Sequence, residues 1–188
     1  MNTQESIKQR KSVRSYLEKD VEKDKIELVA KAGFMAAGTP MAGKVYINVI
    51  ANKELLKELV VTTKAVMSNS GVPMLQNLGS NPNFSPIYGA PVAAIISVDP
   101  TADDNTKSMA IQNAACAAEN MLIQAVDLGL GSCYLNTPTL AFFNPVFKKK
   151  VGLKDDANAV AVVIFGYTND NSPHKEYPEN PEEIKYIF

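Results

Sequence analysis

Residues 112–135 read QNAACAAENMLIQAVDLGLGSCYL, and this stretch predicts the centre of the fold. With the residues before it, it predicts one long helix over 106–128, about 35 Å long at about 1.5 Å per residue. Small apolar side chains occur around much of this helix, so we expect it to be buried on most sides. Gly129 and Gly131 follow as a stop signal.

Further elements flank this helix on both sides. Helical spacing of apolar residues predicts three more helices, over 22–37, 53–67 and 139–150. Apolar or β-branched runs predict four strands, at 45–51, 91–98, 133–135 and 159–167. The run at 91–98 is typical of a strand buried on both faces. This alternation predicts a single α+β domain over 1–188, with one central sheet wrapped by helices.

The segment 68–90 has a different composition. Glycine, proline, asparagine and serine are frequent in it, and its apolar residues follow no clear period. About twenty residues without structure are uncommon inside a compact domain. The segment therefore contains either short helices that the pattern does not reveal, or a functional lid.

Composition and charge limit the classes of function. The 188 residues are 46% hydrophobic, and 19 basic side chains nearly balance 20 acidic ones. Such a chain is globular and has no overall field that attracts nucleic acid or an anionic membrane. The polar start, MNTQESIKQRK, lacks the apolar region of a secretory signal, and the longest apolar runs are shorter than a membrane span. We expect a soluble, cytoplasmic protein.

Cysteine and histidine are scarce. The chain has two cysteines and one histidine, whereas a zinc site needs about three or four nitrogen or sulfur ligands. We therefore expect no metal. Cys116, in the alanine-rich helix, and Cys133, in an apolar run, are interpreted as small core residues.

A basic cluster lies in residues 9–16, QRKSVRSY. Arg10 and Arg14 are four residues apart, with Lys11 and Ser12 between them. A helical turn would place the two arginines on one face, where they repel unless an anion lies between them. Guanidinium groups suit phosphate oxygens, and a serine hydroxyl adds a donor. From these residues alone, the cluster is either a phosphate site or a solvated basic surface.

The same segment resembles the opening of the nitroreductase family, a short helix followed by an RRSxR-type signature and then an aromatic residue. In that family these side chains hold the FMN phosphate and the pyrimidine edge of the flavin. The resemblance implies these roles for Arg10, Lys11, Ser12 and Arg14, with Tyr16 as the aromatic residue. Lys11 stands where many members have arginine.

A turn at 38–44, GTPMAGK, is similar to the family's A-P-S-A-G-N turn, which usually comes from the partner subunit and covers the flavin. Met41 replaces the usual serine and Lys44 the usual asparagine, so contacts are expected through backbone and apolar atoms. The residues implied to contact the flavin are Pro40, Met41, Ala42 and Gly43. From the residues alone, the turn is a helix end and a tight loop.

The longest match combines 88–91, YGAP, with 112–135, which is similar to the family's central helix and its GLGSCW segment; Tyr134 stands for the tryptophan. In the family the backbone just after this segment faces flavin N5 and O4. The residues so implied are Leu135, Asn136 and Thr137. Members often carry a basic residue in the tail that reaches the phosphate. Lys175, beside His174, is the candidate, and a plain surface lysine is the alternative.

The resemblance implies a mostly antiparallel sheet in a domain-swapped homodimer, with 168–188 as an arm on the partner subunit. The apolar end of the tail, Tyr186 to Phe188, independently favours burial against another subunit. The implied activity passes electrons from NADH or NADPH through N5 of FMN to a small acceptor such as a nitroaromatic or quinone, and no side chain is assigned as catalytic. Two alternatives stay open: a flavin-binding or flavin-sensing protein without turnover, and a dehalogenase or flavin-fragmenting enzyme of the same superfamily.

Overall fold

The computed structural model describes residues 1–101, 103–173, 178 and 181–187. The α-helices are α1 (Thr3–Gln9), α2 (Lys23–Phe34), α3 (Lys53–Ser68), α4 (Pro73–Ser80), α5 (Asp104–Asp127) and α6 (Pro145–Lys150). The strands are β1 (Val45–Ile50), β2 (Val92–Val98), β3 (Gly131–Leu135) and β4 (Asn158–Gly166), and two 3₁₀ helices span Pro40–Ala42 and Thr137–Phe143. Among the described helices, none has the length and hydropathy needed to cross a membrane.

The four strands form one antiparallel sheet in the order β1-β2-β4-β3. Helices α2 and α5 cover one face, while α3 and the second 3₁₀ helix cover the other. Every residue of β2 is buried, and successive residues contribute to the two cores in turn; Ala94 lies in one and Ile95 in the other. The prediction of a doubly buried strand at 91–98 and of an α+β fold is confirmed.

Helix α5 begins where Asp103 accepts a hydrogen bond from the Thr106 amide at 3.0 Å. One face, including Ala114 and Met121, packs on the sheet and α2. Its opposite face is exposed within the single chain. That face carries Ile111, Gln112, Ala115, Cys116 and Glu119. The prediction that Cys116 is a core residue is therefore wrong for the single chain, whereas Cys133, 1% exposed, confirms its prediction.

The predicted helix over 139–150 is wrong, because the chain forms two shorter elements there. A 3₁₀ helix ends at Phe143, and α6 begins at Pro145. Asn144 separates them: its side chain accepts hydrogen bonds from the amides of Val146 and Phe147, at 3.0 and 3.2 Å. Proline has no amide hydrogen and suits the first position of a new helix. A cap and a proline together therefore restart the helix.

The segment 68–90 contains α4, which packs against α3. A short helix is therefore present although the apolar residues of this segment follow no clear helical period. A tight turn follows, closed by a 2.9 Å hydrogen bond from the Ala90 amide to the Ile87 carbonyl. Both central residues of that turn, Tyr88 and Gly89, have positive φ, +52° and +74°. A bulky residue is uncommon in that region, and the Tyr88 side chain packs against the core that contains Ile87 and Ala90.

Candidate functional site

The basic cluster follows α1 and runs along the outer edge of β3. Helix α1 ends at Gln9, and Arg10 is already extended, with φ −64° and ψ 126°. Ser12 forms a parallel bridge with Ser132, and the Val13 amide donates to the Ser132 carbonyl at 2.9 Å. The expectation that a helical turn aligns Arg10 and Arg14 is therefore wrong, since pairing with the strand keeps this segment extended.

The extended segment nevertheless aligns the same side chains. Alternate residues of an extended chain point to the same side, so Arg10, Ser12 and Arg14 share one side. Val13, on the other side, is 2% exposed, while Ser12 and Arg14 are exposed. Two guanidinium groups and a hydroxyl thus lie together at the edge of the sheet, and such a set can donate to an anion from several directions.

Lys11 points away from this set. Its amino group donates to the carbonyls of Asp170 and Ser172, at 2.8 and 2.6 Å, and lies 3.5 Å from the Asp170 carboxylate. This side chain ties the N-terminal segment to the chain beyond β4. A role of Lys11 in phosphate binding stays a prediction, and its position favours a structural one.

Helix α5 supplies a carboxylate next to Arg10. The Nε atom of Arg10 lies 3.4 Å from a carboxylate oxygen of Glu119, whose side chain is 53% exposed. This pair orients the guanidinium group from one edge. As a pair of partly exposed charges, it contributes little to stability by itself.

Tyr16 and Cys133 lie beneath the cluster. The Tyr16 hydroxyl donates to the Val13 carbonyl at 2.9 Å, and burial raises the pKa of this phenol well above its usual range. Burial also raises the pKa of the Cys133 thiol, although the nearby Arg14, Ser12 and Arg10 act in the opposite direction. A raised pKa favours the protonated thiol, which is a poor nucleophile.

The open edge of β3 continues from this cluster toward Leu135, Asn136 and Thr137. The Ser132 carbonyl points away from β4, toward Val13. Successive residues of an antiparallel strand direct their backbone groups to opposite neighbours. The backbone groups of Tyr134 therefore also point outward, whereas those of Leu135 point toward β4. The structure thus brings the cluster and this second predicted group to the same edge of the sheet. Ser132 and Leu135 are three strand residues apart, which corresponds to about 10 Å. The outward amide of Tyr134 was not predicted from the sequence.

The third predicted group, Pro40, Met41, Ala42 and Gly43, forms a turn at the other side of the fold. It leads into β1, the edge strand opposite β3. Met41 is 78% exposed, whereas Ala42 is buried. Among the described residues, no hydrogen bond or ion pair joins this turn to Arg10, Ser12 or Arg14. Within one chain the structure therefore keeps the turn and the basic cluster separate.

Two side chains that the sequence did not single out hold this turn. Asn113 of α5 accepts from the Thr39 amide at 3.0 Å and donates to the Thr39 carbonyl at 2.9 Å. Asp99, just after β2, accepts from the Lys44 amide at 2.9 Å. In the sequence, the sign that could have indicated a role for Asn113 is a polar residue within an alanine-rich helix. The remaining predicted residue, Lys175, lies outside the described residues.

Comparison with known proteins agrees with this arrangement. The model of the nitroreductase family matches residues 7–167. The crystal structure of a nitroreductase with bound FMN from Bacteroides fragilis is 25% identical, with a TM-score of 0.88 and full coverage of both chains. A second FMN-bound nitroreductase, from Desulfitobacterium hafniense, gives a TM-score of 0.81 at 20% identity, again with full coverage of both.

A protein of Archaeoglobus fulgidus, provisionally named NADH dehydrogenase/NAD(P)H nitroreductase, is also similar to this chain. The two are 23% identical over 177 residues, which cover 93% of this chain and 91% of the relative. The family model spans most of the chain, from α1 to the end of β4. The chain therefore belongs to the nitroreductase family.

Proposed function

We propose that this protein is an FMN-dependent oxidoreductase that takes electrons from NADH or NADPH and passes them to a small acceptor such as a nitroaromatic or quinone. One observation carries the proposal: Arg10, Ser12 and Arg14 lie together on one side of an extended segment beside the open edge of β3. Support comes from the family and from the similarity to a relative described as a nitroreductase with bound FMN.

The residues present fit an FMN molecule. A phosphate monoester is a dianion near neutral pH, and two guanidinium groups with a hydroxyl are suitable donors for it. Along the same edge, the outward amide of Tyr134 and the start of the following 3₁₀ helix offer main-chain donors for the polar rim of a flavin. The site therefore has charged side chains at one end and main-chain amides at the other.

When bound, FMN would supply the redox chemistry, hydride and electron transfer between a nicotinamide and the acceptor. The protein binds and orients it. Arg10 and Arg14 hold the phosphate and keep positive charge beside the site, while the β3 edge fixes the ring's polar rim. We assign no side chain as a general acid or base.

The proposal includes a homodimer in which the 40–43 turn of one chain completes the site of the other. The turn and its surroundings expose large apolar side chains, with Phe34 83% and Met35 72% exposed. The outer face of α5, next to Glu119, also lacks a cover in the single chain. Exposed apolar surface of this kind marks an interaction site.

The first test is the absorption spectrum of the purified protein after FMN is added and excess flavin removed. We expect a bound-flavin spectrum that bleaches anaerobically with NADH or NADPH and recovers when a quinone or nitroaromatic is supplied. Bleaching without recovery by these acceptors would favour flavin binding without turnover, or another flavin chemistry. A protein that retains no FMN would contradict the proposal.

The double variant Arg10→Ala with Arg14→Ala tests the phosphate site. Each charge-assisted contact contributes about 1.5–3 kcal/mol, so the loss of both weakens FMN binding at least about a hundredfold. Equilibrium titration of the flavin-free protein with FMN measures this change. The matched control removes two exposed lysines of α2, Lys23→Ala with Lys31→Ala, and keeps the wild-type dissociation constant.

A further inference from the structure

The carboxamide of Asn113 is joined to the main chain at the start of the 40–43 turn. Its oxygen accepts from the Thr39 amide at 3.0 Å, and its nitrogen donates to the Thr39 carbonyl at 2.9 Å. Asn113 thereby satisfies both polar groups of one residue, as a neighbouring strand would. Gly38 permits this approach, since a Cβ there would lie 2.9 Å from the Asn113 carboxamide carbon.

A second side chain holds the other end of the turn. The Asp99 carboxylate accepts from the Lys44 amide at 2.9 Å, from the Tyr46 hydroxyl at 2.8 Å and from the Lys154 amino group at 3.1 Å. Gly43 precedes this contact with φ +76°, a conformation that L-residues rarely adopt. Asp99 therefore holds the chain where it leaves the turn for β1.

The two anchors hold the ends of a segment whose centre is fixed by Ala42, a residue of the buried core. Between Thr39 and Lys44 only one 3₁₀ turn forms, closed by amide contacts of 3.3 Å from Ala42 to Thr39 and from Gly43 to Pro40. Ala42 points inward and is 1% exposed, whereas Met41 points outward. The turn presents its outer surface with its ends fixed, which lowers the entropy that it loses when it packs on a ligand.

We propose that Asn113 and Asp99 are positioning residues, which hold the 40–43 turn of one chain in the shape that packs against FMN bound by a second chain. This inference rests on the proposed function. Neither residue touches the flavin in this account, since both act through the main chain of the turn. Their loss lowers FMN affinity in the intact dimer and leaves the phosphate site in place.

The test measures the FMN dissociation constant of flavin-free protein by fluorescence titration. We expect Asn113→Ala and Asp99→Ala each to weaken FMN binding about tenfold, the equivalent of one hydrogen bond to a preorganised segment. Asp99→Asn keeps an acceptor for the Lys44 amide and has a smaller effect than Asp99→Ala. Asn83→Ala, which removes an exposed carboxamide after α4, is the matched control and keeps the wild-type value.

A double-mutant cycle separates positioning from general stability. The turn residues Pro40, Met41 and Ala42 are replaced by three glycines, alone and with Asn113→Ala. If Asn113 acts through the turn, it adds no further loss of affinity once the turn is disordered, so the two effects are not additive. Additive effects would overturn the inference. Should Asn113→Ala fail to fold, the isosteric Asn113→Asp, which repels the Thr39 carbonyl, takes its place in the cycle.

The outcomes of these measurements distinguish a failure of the proposed function from a failure of this inference. A wild-type protein that binds no FMN overturns the proposed function and this inference with it. If the wild type binds FMN and the Arg10 and Arg14 double variant releases it, while the Asn113 and Asp99 variants keep the wild-type constant, only the inference is wrong. A shift of the bound-flavin absorption band in the Asn113 variant, without a change in the Asn83 control, supports it.

Discussion

At the scale of single residues, the candidate site depends on which atoms face the ligand. Arg10 is contacted through Nε by Glu119, which leaves the terminal nitrogens at the other edge of the guanidinium group. Arg14 lies near its own segment, 3.5 Å from the Ser12 carbonyl. The two arginines therefore play different parts: Arg10 is oriented from α5, and Arg14 adds charge at the rim.

The Asn136 side chain lies at the predicted N5 end, and its role is testable. The Asn136 carbonyl accepts from the Thr139 amide and hydroxyl, at 2.9 and 2.7 Å, so the main chain there is held without the side chain. We expect Asn136→Ala to keep FMN bound and to change kcat less than about fivefold, within the effect of one hydrogen bond. Complete loss of turnover with FMN still bound would mean that the carboxamide takes part in the reaction.

At the scale of elements, we expect a helix cap to affect the stability of the fold and not the binding of FMN. Asn52 begins α3 by accepting from the amides of Glu54 and Leu55, both at 3.0 Å. Asn52→Ala is expected to lower the free energy of unfolding by about 1 kcal/mol, the usual loss of such a cap, with FMN affinity unchanged. Urea unfolding measures it, with the exposed Asn105→Ala as control. An equal loss in both variants would show that the cap itself contributes nothing.

The Asp99 carboxylate gives this region a defined pH dependence. Hydrogen bonds from the Lys44 amide, the Tyr46 hydroxyl and Lys154 lower the pKa of Asp99 to about 2. A depressed carboxyl pKa stabilises the fold above the unfolded value of about 3.9, and this stabilisation is lost as the pH falls toward 2. The stability difference between wild type and Asp99→Asn should be constant from pH 7 to about pH 5 and shrink below pH 4.

Urea unfolding at several pH values measures that difference. The exposed carboxyl variant Asp155→Asn is the control and should show no such change. A gap between wild type and Asp99→Asn that persists unchanged at pH 2 would mean that the carboxylate charge does not hold the turn.

The elements that the sequence predicted well are those whose signal is local. Strand β2 and helix α5 have long runs of the appropriate side chains, and both formed as expected. The extended course after Arg10 could not be seen locally, since it depends on a bridge to Ser132, 120 positions further along. The Asn113 contact with Thr39 joins residues 74 positions apart and leaves no pattern in either segment.

At the scale of the molecule, the prediction is a homodimer with two FMN sites. The described tail exposes Ile184, Tyr186 and Ile187 at 51%, 67% and 95%, and the outer face of α5 is exposed as well. A two-fold contact that covers these surfaces gives two equivalent sites, each with the basic cluster of one chain and the turn of the other. The total buried area should exceed about 2,000 Å².

Light scattering on the intact protein measures the mass directly. Deleting residues 182–188 should weaken both dimerisation and FMN retention, because the apolar tail is expected to pack on the partner subunit. The control variant is a charge-conserving change within the same tail, Lys185→Arg. A monomeric mass with FMN still bound would refute the dimeric site.

The contact of Lys11 with the chain beyond β4 can form only after residues 170 and 172 have been synthesised. Lys11 is made near the beginning, but the carbonyls of Asp170 and Ser172 that hold it are made 159 and 161 residues later. At about 5–20 residues per second, the N-terminal segment waits roughly 8–30 s on the ribosome for them. A nascent chain that stops before Asp170 already contains Ser132, which keeps Arg10, Ser12 and Arg14 extended, but it lacks the contacts that tie Lys11 to the chain beyond β4. The pairing with β3 can therefore form first, and the Lys11 contacts then lock the N-terminal segment in place.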